Sequence, residues 1–333
     1  MHPLAALDNL DSYRRLFTDV PLWTPYVQEV LARHDLRPDG PTRTGVPGTC
    51  PVFIAGERWV VKFFGRLFDG AASFAVEREA NRTADAGLSG DHNPRIRPAR
   101  LAAAGALFHS GEQGWHWPYL VFEYIPSISM GAAREQACFE DRLRAAAELG
   151  ETTRWLHALP IEDSAVFPNS HQPYLDFLIR QRTDVTSRQR EWGSLPARLI
   201  AQIEDFLPPV EALVDTTRPP HLIHADLTAD HLLGRLNDDR WTSLALIDFG
   251  DARTGSLLYE LCALHADLFR WDSRLLAAFL EAYGISIDAD LPRNLLATML
   301  LHQFNMFFGI EELLAQAGSL NELAAQFYRQ AGD

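Results

Sequence analysis

The sequence predicts an α+β protein of two lobes, a small N-terminal lobe built on an antiparallel sheet and a larger, mostly helical C-terminal lobe. Three observations lead there. Short runs rich in β-branched and aromatic residues gather in the first 127 residues, helical periodicity dominates from about residue 130 onward, and the unusual polar residues cluster near the change between them. The expected division is 1–127 and 128–333, with a helical extension at the start of the first part.

Residues 1–36 carry Leu, Phe, Trp and Tyr at helical spacing through LFTDVPLWTPYVQEVLARH. The Gly and Pro cluster DGPTRTGVPGT then reads as turns. CPVFIAG and ERWVVKFF form an antiparallel hairpin about Ala55, Gly56 and Glu57, and AASFAVEREANRTADAG reads as a helix that stops near Gly87. WPYLVFEYIPS is a further buried strand, closed by a turn that contains proline. Beyond it, EDRLRAAAELGETTRWLHAL and SRLLAAFLEAYG are amphipathic helices, the second with Leu275, Leu276, Phe279, Leu280 and Tyr283 on one stripe and Gly284 as its stop. Two short strand-like pieces, HLIHADL and SLALIDFGDA, lie between them.

Composition narrows the function. The chain has 333 residues, 47% of them hydrophobic, and a formal charge of -14, with no basic cluster to neutralise a run of phosphates, so nucleic acid is not an expected partner. A cationic partner complements the charge better. Cys50, Cys138 and Cys262 are dispersed and contain no CxxC pair, which suits a reducing cytoplasm and excludes a disulfide framework or a zinc site. The N-terminal MHPLAALDNLDSYRRLF interleaves acids and does not read as a secretory signal. No run approaches the roughly 18 apolar residues that span a bilayer. The expectation is a cytoplasmic protein, monomeric, without membrane or nucleic-acid partners.

One residue stands out. Of 30 basic residues 29 are arginine, and the one lysine, Lys62, sits inside the apolar run WVVKFF. Alternation along a strand places it on the face of Val60 and Phe64, where it either reaches water as a snorkelling side chain or meets a counter-charge. Snorkelling would be served equally by arginine. A compact ammonium that meets a phosphate as a point charge is not so easily replaced by a planar guanidinium. In the helix that follows, with Val76 as reference at about 100° per residue, Ala72, Ala80, Thr83 and Gly87 form the packed stripe. Glu79 borders that stripe and is the expected partner of Lys62, while Glu77 points to solvent.

The sharpest signal is HADLTADHLLG from His224, followed by LALIDFGDA. Asp226 and Asp248 each sit at the end of a short apolar strand, where a bare carboxylate is costly without a cation or hydrogen bonds. Such a pair can divide labour, one accepting a hydroxyl proton and the other holding a divalent metal.

The ordered set of Lys62, a helix glutamate, HADLTADH and IDFG resembles the aminoglycoside phosphotransferase family, the small-molecule kinase branch of the protein-kinase-like fold. The resemblance runs from GTCPVF near residue 48 to the helix that ends at Gly284, and LHAL resembles a further family segment. It implies an ATP-dependent O-phosphotransferase with Mg2+, Mn2+ being possible. Lys62 would contact the α- and β-phosphates and Glu79 would brace it. Gly48, Glu123 and Tyr124 would border the nucleotide. Asp226 would be the catalytic base or hydroxyl orienter, and Asp248 the metal ligand.

Three departures bear on this. His231 stands where the family most often has a metal-binding asparagine; an imidazole suits manganese better than magnesium, and it could instead bond a metal-bound water or a phosphate, or simply brace the loop. The loop TGVPGTCPVF offers Gly45 and Gly48 but no GxGxxG, and no APE element follows DFG; both disfavour a protein substrate. His224 reads as a backbone support. For the acceptor, the family implies an acid-lined cleft for ammonium groups, with Glu260, Asp267 and Asp272 as candidates and Phe269 and Trp271 as ring partners. The leading acceptor is therefore a small cationic molecule, an aminoglycoside or related amino sugar, which would make antibiotic resistance the role. A kinase of choline, homoserine, a sugar or a nucleoside, and a nucleotide-binding pseudokinase, remain open alternatives.

Overall fold

The computed structural model describes residues 3–46, 48–88, 93–108 and 114–326. The chain divides into two compact units: Met1–Ala86 with Pro98–Ser127 and Asp248–Asp251, and Gly87–Arg97 with Ile128–Ile247 and Ala252–Asp333. Asp248 thus belongs to the first unit, although the segment Ile128–Ile247 of the second immediately precedes it in sequence.

The first unit is a five-stranded antiparallel sheet in the order Thr42–Thr44, Val52–Ala55, Trp59–Phe63, Pro118–Glu123, Leu101–Ala106. The hairpin expected about Gly56 forms, with Ala55 opposite Trp59 and Val52 opposite Lys62. Gly56 takes a positive φ of 62°, which a residue without Cβ adopts at no steric cost, and the Asp39 carboxylate receives the next N–H, that of Glu57, at 2.7 Å. Alternation then sorts the central strand. Trp59, Val61 and Phe63 face a core completed by the helix Val20–Arg33, whose Trp23, Val27, Val30 and Leu31 are buried. Lys62 faces the other way.

The N-terminal helices are therefore part of the sheet's core. Asp19 caps the Val20–Arg33 helix by accepting the Leu22 N–H at 2.9 Å. Trp23, fully buried, lies 4.7 Å from the Phe63 ring, 5.2 Å from Trp117 and 5.6 Å from Phe53, and its indole N–H donates to the Leu16 carbonyl at 3.0 Å. Tyr13, on the helix Leu10–Leu16, donates its hydroxyl to the Thr49 carbonyl at 2.6 Å and so ties the extension to the turn between the first two strands.

The second unit is mostly helical. Its long helix Phe139–His157 packs on Ser273–Tyr283, which ends at Gly284 in the left-handed region with φ 92°. Close approach is possible because Gly150 carries no side chain; a Cβ there would overlap the Phe279 carbonyl. The expected stripe holds for Leu275, Leu276, Phe279 and Leu280, while Tyr283 turns its hydroxyl to the His157 ring at 2.9 Å. A two-stranded ribbon and a four-stranded sheet support the polar loops. His221–Ile223 pairs antiparallel with Arg253–Gly255, and Leu232–Asn237 pairs with Arg240–Leu246 through a two-residue turn whose Asp238 and Asp239 both have positive φ. Among the described residues, no helix is long and apolar enough to cross a membrane.

Since Trp23 fills the centre of the sheet's core, Trp23→Ala should destabilise the protein by about 3–5 kcal/mol. The urea midpoint measures this, and a shift equivalent to less than about 1 kcal/mol would show that the extension is not part of the core.

Candidate active site

Lys62 is 6% exposed, so it does not reach solvent by snorkelling. Its ammonium donates to Glu77 Oε2 at 2.7 Å and to Asp248 Oδ1 at 2.7 Å. Burial alone would lower the pKa of this lysine, yet the Asp248 and Glu77 carboxylates raise it well above its ordinary value. It is a fixed cation. Lys62 also stands 5.3 Å from the face of Phe64, its neighbour on the same side of the strand.

The partner expected from sequence, Glu79, is displaced by Glu77. The helix Gly70–Gly87 buries Gly70, Glu77, Ala80, Asn81 and Ala84, an i, i+3, i+4, i+7 stripe centred on Glu77. Glu79 instead lies 3.8 Å from Arg82, toward the surface. The reason is the helix phase. Ala71 and Ala72 are exposed while Ala80 and Ala84 are buried, so alanine does not mark the buried face, and the assumed centre at Val76 is off by one residue, about 100° of rotation. A glutamate can hold the centre of a buried stripe here because the Lys62 cation meets it there.

Asp248 completes this cluster with φ 65°, in the left-handed region that a residue bearing Cβ enters at a cost. Its side chain is 42% exposed, against 2% for Glu77. Glu77 is thus committed to Lys62 in the interior, whereas Asp248 meets the same ammonium with a side chain that lies partly in solvent. Among the described residues no group of three or more His, Cys, Asp or Glu could hold a metal ion. The Asp248 carboxylate is a hard oxygen donor of the kind that magnesium takes together with waters and phosphate oxygens.

Gly48 lies in the turn before the second strand, with open space where a Cβ would be, whereas the neighbouring Gly45 donates its N–H to the Val52 carbonyl at 2.8 Å. Residue 47 lies outside the described residues. Cys50 follows, its thiol pushed up to about 12 by burial and by the Asp248 and Glu77 charges, against the pull of Lys62. At the end of the fourth strand in sheet order, Glu123 accepts from Arg100 at 2.6 Å, and the Tyr124 hydroxyl accepts from Arg43 at 2.9 Å. The backbone N–H of Tyr124 donates to the Arg58 carbonyl at 2.8 Å.

The HADLTADH loop is held within the second unit. Ala225 has φ 66°, costly for a residue with a Cβ, and two hydrogen bonds to one buried carboxylate secure it. The His224 N–H donates to Glu260 Oε1 at 3.1 Å, and the Ala225 N–H to Oε2 at 2.7 Å. The His224 Nε2–H donates to the Ile247 carbonyl at 2.9 Å, as expected for a backbone support. His231 returns on the same loop, its Nδ1–H donating to the Asp226 carbonyl at 2.6 Å, while the Ile247 N–H donates to the His231 carbonyl at 3.1 Å. These bonds fix the main chain on both sides of Asp226.

The three carboxylates expected to receive acceptor ammonium groups are engaged elsewhere. Glu260 is fully buried as the anchor just described. Asp267 accepts the Ala229 N–H at 2.7 Å and lies 3.5 Å from Arg134. Asp272 caps the helix Ser273–Tyr283 through the Arg274 N–H at 2.9 Å and pairs with the Arg274 guanidinium at 2.6 Å. Phe269 is buried against Phe279 and cannot serve a ligand, while Trp271 is half-buried. The family resemblance had implied that these acids line an acceptor cleft. The available warning was Glu260 itself, flanked by Tyr259 and Leu261 in a run, LLYELCALHADL, too apolar to leave an acid beside solvent.

The phosphotransferase enzyme family (APH) matches residues 54–295. An APH(2") enzyme solved with GDP and kanamycin superposes with TM-score 0.60 at 18% identity, covering 91% of this chain and 94% of that one. The GDP complex of an aminoglycoside 2'-phosphotransferase-IIIa gives 0.60 at 16% identity over 92% and 96%. A macrolide 2'-phosphotransferase type I gives 0.51 at 16% identity over 93% and 97%. At such identities the likeness concerns the fold, a two-lobe protein-kinase-like architecture. Among curated proteins, the lysine-specific demethylase JMJ21 of Arabidopsis thaliana is 25% identical over 291 residues, 75% of this chain but 31% of the demethylase, so the chain spans about a third of that relative.

Two outcomes follow from the site. Glu77→Ala leaves the Lys62 ammonium with a single, half-exposed partner and should cost about 3 kcal/mol, whereas Glu79→Ala should stay within about 0.5 kcal/mol; equal urea midpoints for the two variants would contradict the pairing. Burial pushes the Glu260 carboxyl up to about 7, against the pull of the Ala225 and His224 N–H groups. A folded-state pKa above the unfolded value means that the native state binds the extra proton between about pH 4.5 and 7. This contribution to stability therefore declines as pH rises through that window, and the decline should be missing in Glu260→Gln when Tm is followed against pH.

Proposed function

We propose, proceeding from the fact that this chain belongs to the phosphotransferase enzyme family, that it transfers the terminal phosphoryl group of ATP to a hydroxyl of a small molecule. The observation that carries this reading is the buried Lys62 ammonium, held at 2.7 Å by both Glu77 and Asp248. A cation fixed this firmly by acids costs little further ordering when it meets phosphate oxygens. Catalysis of phosphoryl transfer is largely positioning and charge neutralisation, and these residues supply both.

In this reading the first unit binds the nucleotide. Lys62 contacts its α- and β-phosphates, Glu77 takes the bracing role, and the backbone at Gly48 approaches the phosphates where no side chain intervenes. The segment at Glu123 and Tyr124 borders the base. Asp248 would hold magnesium, which would supply neutralisation of phosphate charge. Asp226 orients the acceptor hydroxyl and accepts its proton as the bond from the γ-phosphorus to ADP breaks and the bond to the alcohol oxygen forms. His231, bonded to the Asp226 carbonyl through Nδ1, acts as a brace; a metal role for it would have to use Nε2.

For the acceptor, the aminoglycoside reading is supported by the relatives solved with kanamycin and gentamicin. The engagement of Glu260, Asp267 and Asp272 removes the carboxylates that made a polycation the natural choice.

Asp226→Ala should bind ATP as wild type does while turnover falls by about 10²–10⁴-fold, the range of a lost general base. Isothermal titration beside a coupled ADP assay separates the two quantities, and normal turnover would refute the assignment. Lys62→Arg should fold and yet lose at least about tenfold in kcat/KM for ATP, because a planar guanidinium does not reproduce a point charge between two acids; wild-type kinetics would make the single lysine an accident of composition.

A further inference from the structure

The main chain around Asp226 is approached by two irregular segments of the second unit. Residues 301–310, between the helices Leu291–Leu300 and Glu311–Gln316, form no regular structure. His302 opens this stretch, fully buried, stacked on Tyr259 at 4.3 Å and with its imidazole against the backbone of Ala225, the residue before Asp226. The Phe304 N–H donates to His302 Nδ1 at 3.1 Å, and Gln303 Oε1 accepts from Arg253 at 2.8 Å. Two residues of chain reach no more than about 7 Å. Phe304 is thus confined to the neighbourhood of the Asp226 loop, and it is 41% exposed; Phe308 is 40% exposed.

The second segment runs from the π-helical turn Leu264–Leu268 to Trp271. Asp267 of that turn caps the Ala229 N–H of the same loop. Arg270 and Trp271 then take consecutive left-handed conformations, with φ of 48° and 64°. Trp271 is tied to the first segment, for its indole N–H donates to the Phe308 carbonyl at 3.1 Å and its ring stacks on Phe307 at 6.5 Å. A π-turn, two strained residues and exposed phenylalanines are features that packing alone does not favour. The first acid beyond the segment, Glu311, receives the Gly309 N–H at 3.1 Å, so it too is employed on the backbone.

We propose that Phe304, Phe308 and Trp271 form the acceptor platform, and that the acceptor alcohol is carried on a ring system with an extended apolar face. This inference rests on the phosphotransfer reading and specifies its substrate class. The acceptor is held by stacking and apolar burial, since Glu260, Asp267, Asp272 and Glu311 already bind backbone N–H groups or arginine and Asp230 of the loop takes the Ser129 hydroxyl at 2.8 Å.

The test is ADP release by the full chain with ATP and Mg2+ against two sets of alcohols: neutral steroid, aromatic-ring and macrocyclic lactone alcohols, and polycationic aminocyclitols. The best neutral ring alcohol should exceed every polycation by at least about tenfold in kcat/KM. Phe304→Ala and Phe308→Ala should each raise the KM for that alcohol by about tenfold while leaving the KM for ATP and Tm unchanged, and Phe304→Tyr should restore it. Preference for a polycation, failure of every ring alcohol, or an unchanged acceptor KM in both alanine variants would overturn the platform. Titration of the same preparations with a fluorescent ATP analogue distinguishes the two levels. Without nucleotide binding, the phosphotransfer reading falls and the platform with it; with binding intact and the acceptor results reversed, only the platform falls.

Discussion

The arrangement of this protein depends on one buried cation shared by two carboxylates of unequal exposure. Lys62 is the sole ammonium side chain in the sequence, and its strand turns it away from the core formed with the N-terminal helices. Glu77 is buried with it and Asp248 is half-exposed. The inequality gives each acid a different capacity. Glu77 fixes the lysine in place, because removing either member would leave an uncompensated buried charge. Asp248 reaches the same ammonium from a left-handed backbone and is the more accessible of the two carboxylates.

The second unit applies the same principle with backbone donors. Glu260 spends both oxygens on the N–H groups of His224 and Ala225, stabilising a main-chain conformation that alanine would otherwise avoid. His224, His231 and Asp267 add bonds at neighbouring points. Acids in this protein therefore divide into those that hold charge and those that hold backbone, and residue type does not reveal which. This is also why a net charge of -14 is weak support for a polycationic acceptor.

Much of the site was legible before any coordinates. Lys62 was visible as a compositional exception, and Asp226 and Asp248 as carboxylates at the ends of apolar strands. The hairpin around Gly56, the helix ending at Gly87 and the helix capped by Gly284 follow from turn chemistry and periodicity. Glu77 was missed because alanine stands both on the exposed face, at Ala71 and Ala72, and on the buried one, at Ala80 and Ala84, so a choice between two acids two residues apart rested on too little. Glu260, Asp267 and Asp272 were misread for a different reason. Each satisfies an N–H group, and which backbone groups need an acceptor is known only once the chain has folded.

The sequence by itself determined the order of the chemical groups, the identity of the fixed cation and the division into a sheet-based part and a helical part, because these depend on local patterning and on residue chemistry. Only the tertiary structure decided which glutamate meets Lys62, which acids remain for a ligand and which aromatic rings stand open beside the Asp226 loop. Those are matters of burial and of long-range pairing, such as Lys62 with Asp248 across 186 residues of chain, and no local pattern encodes them.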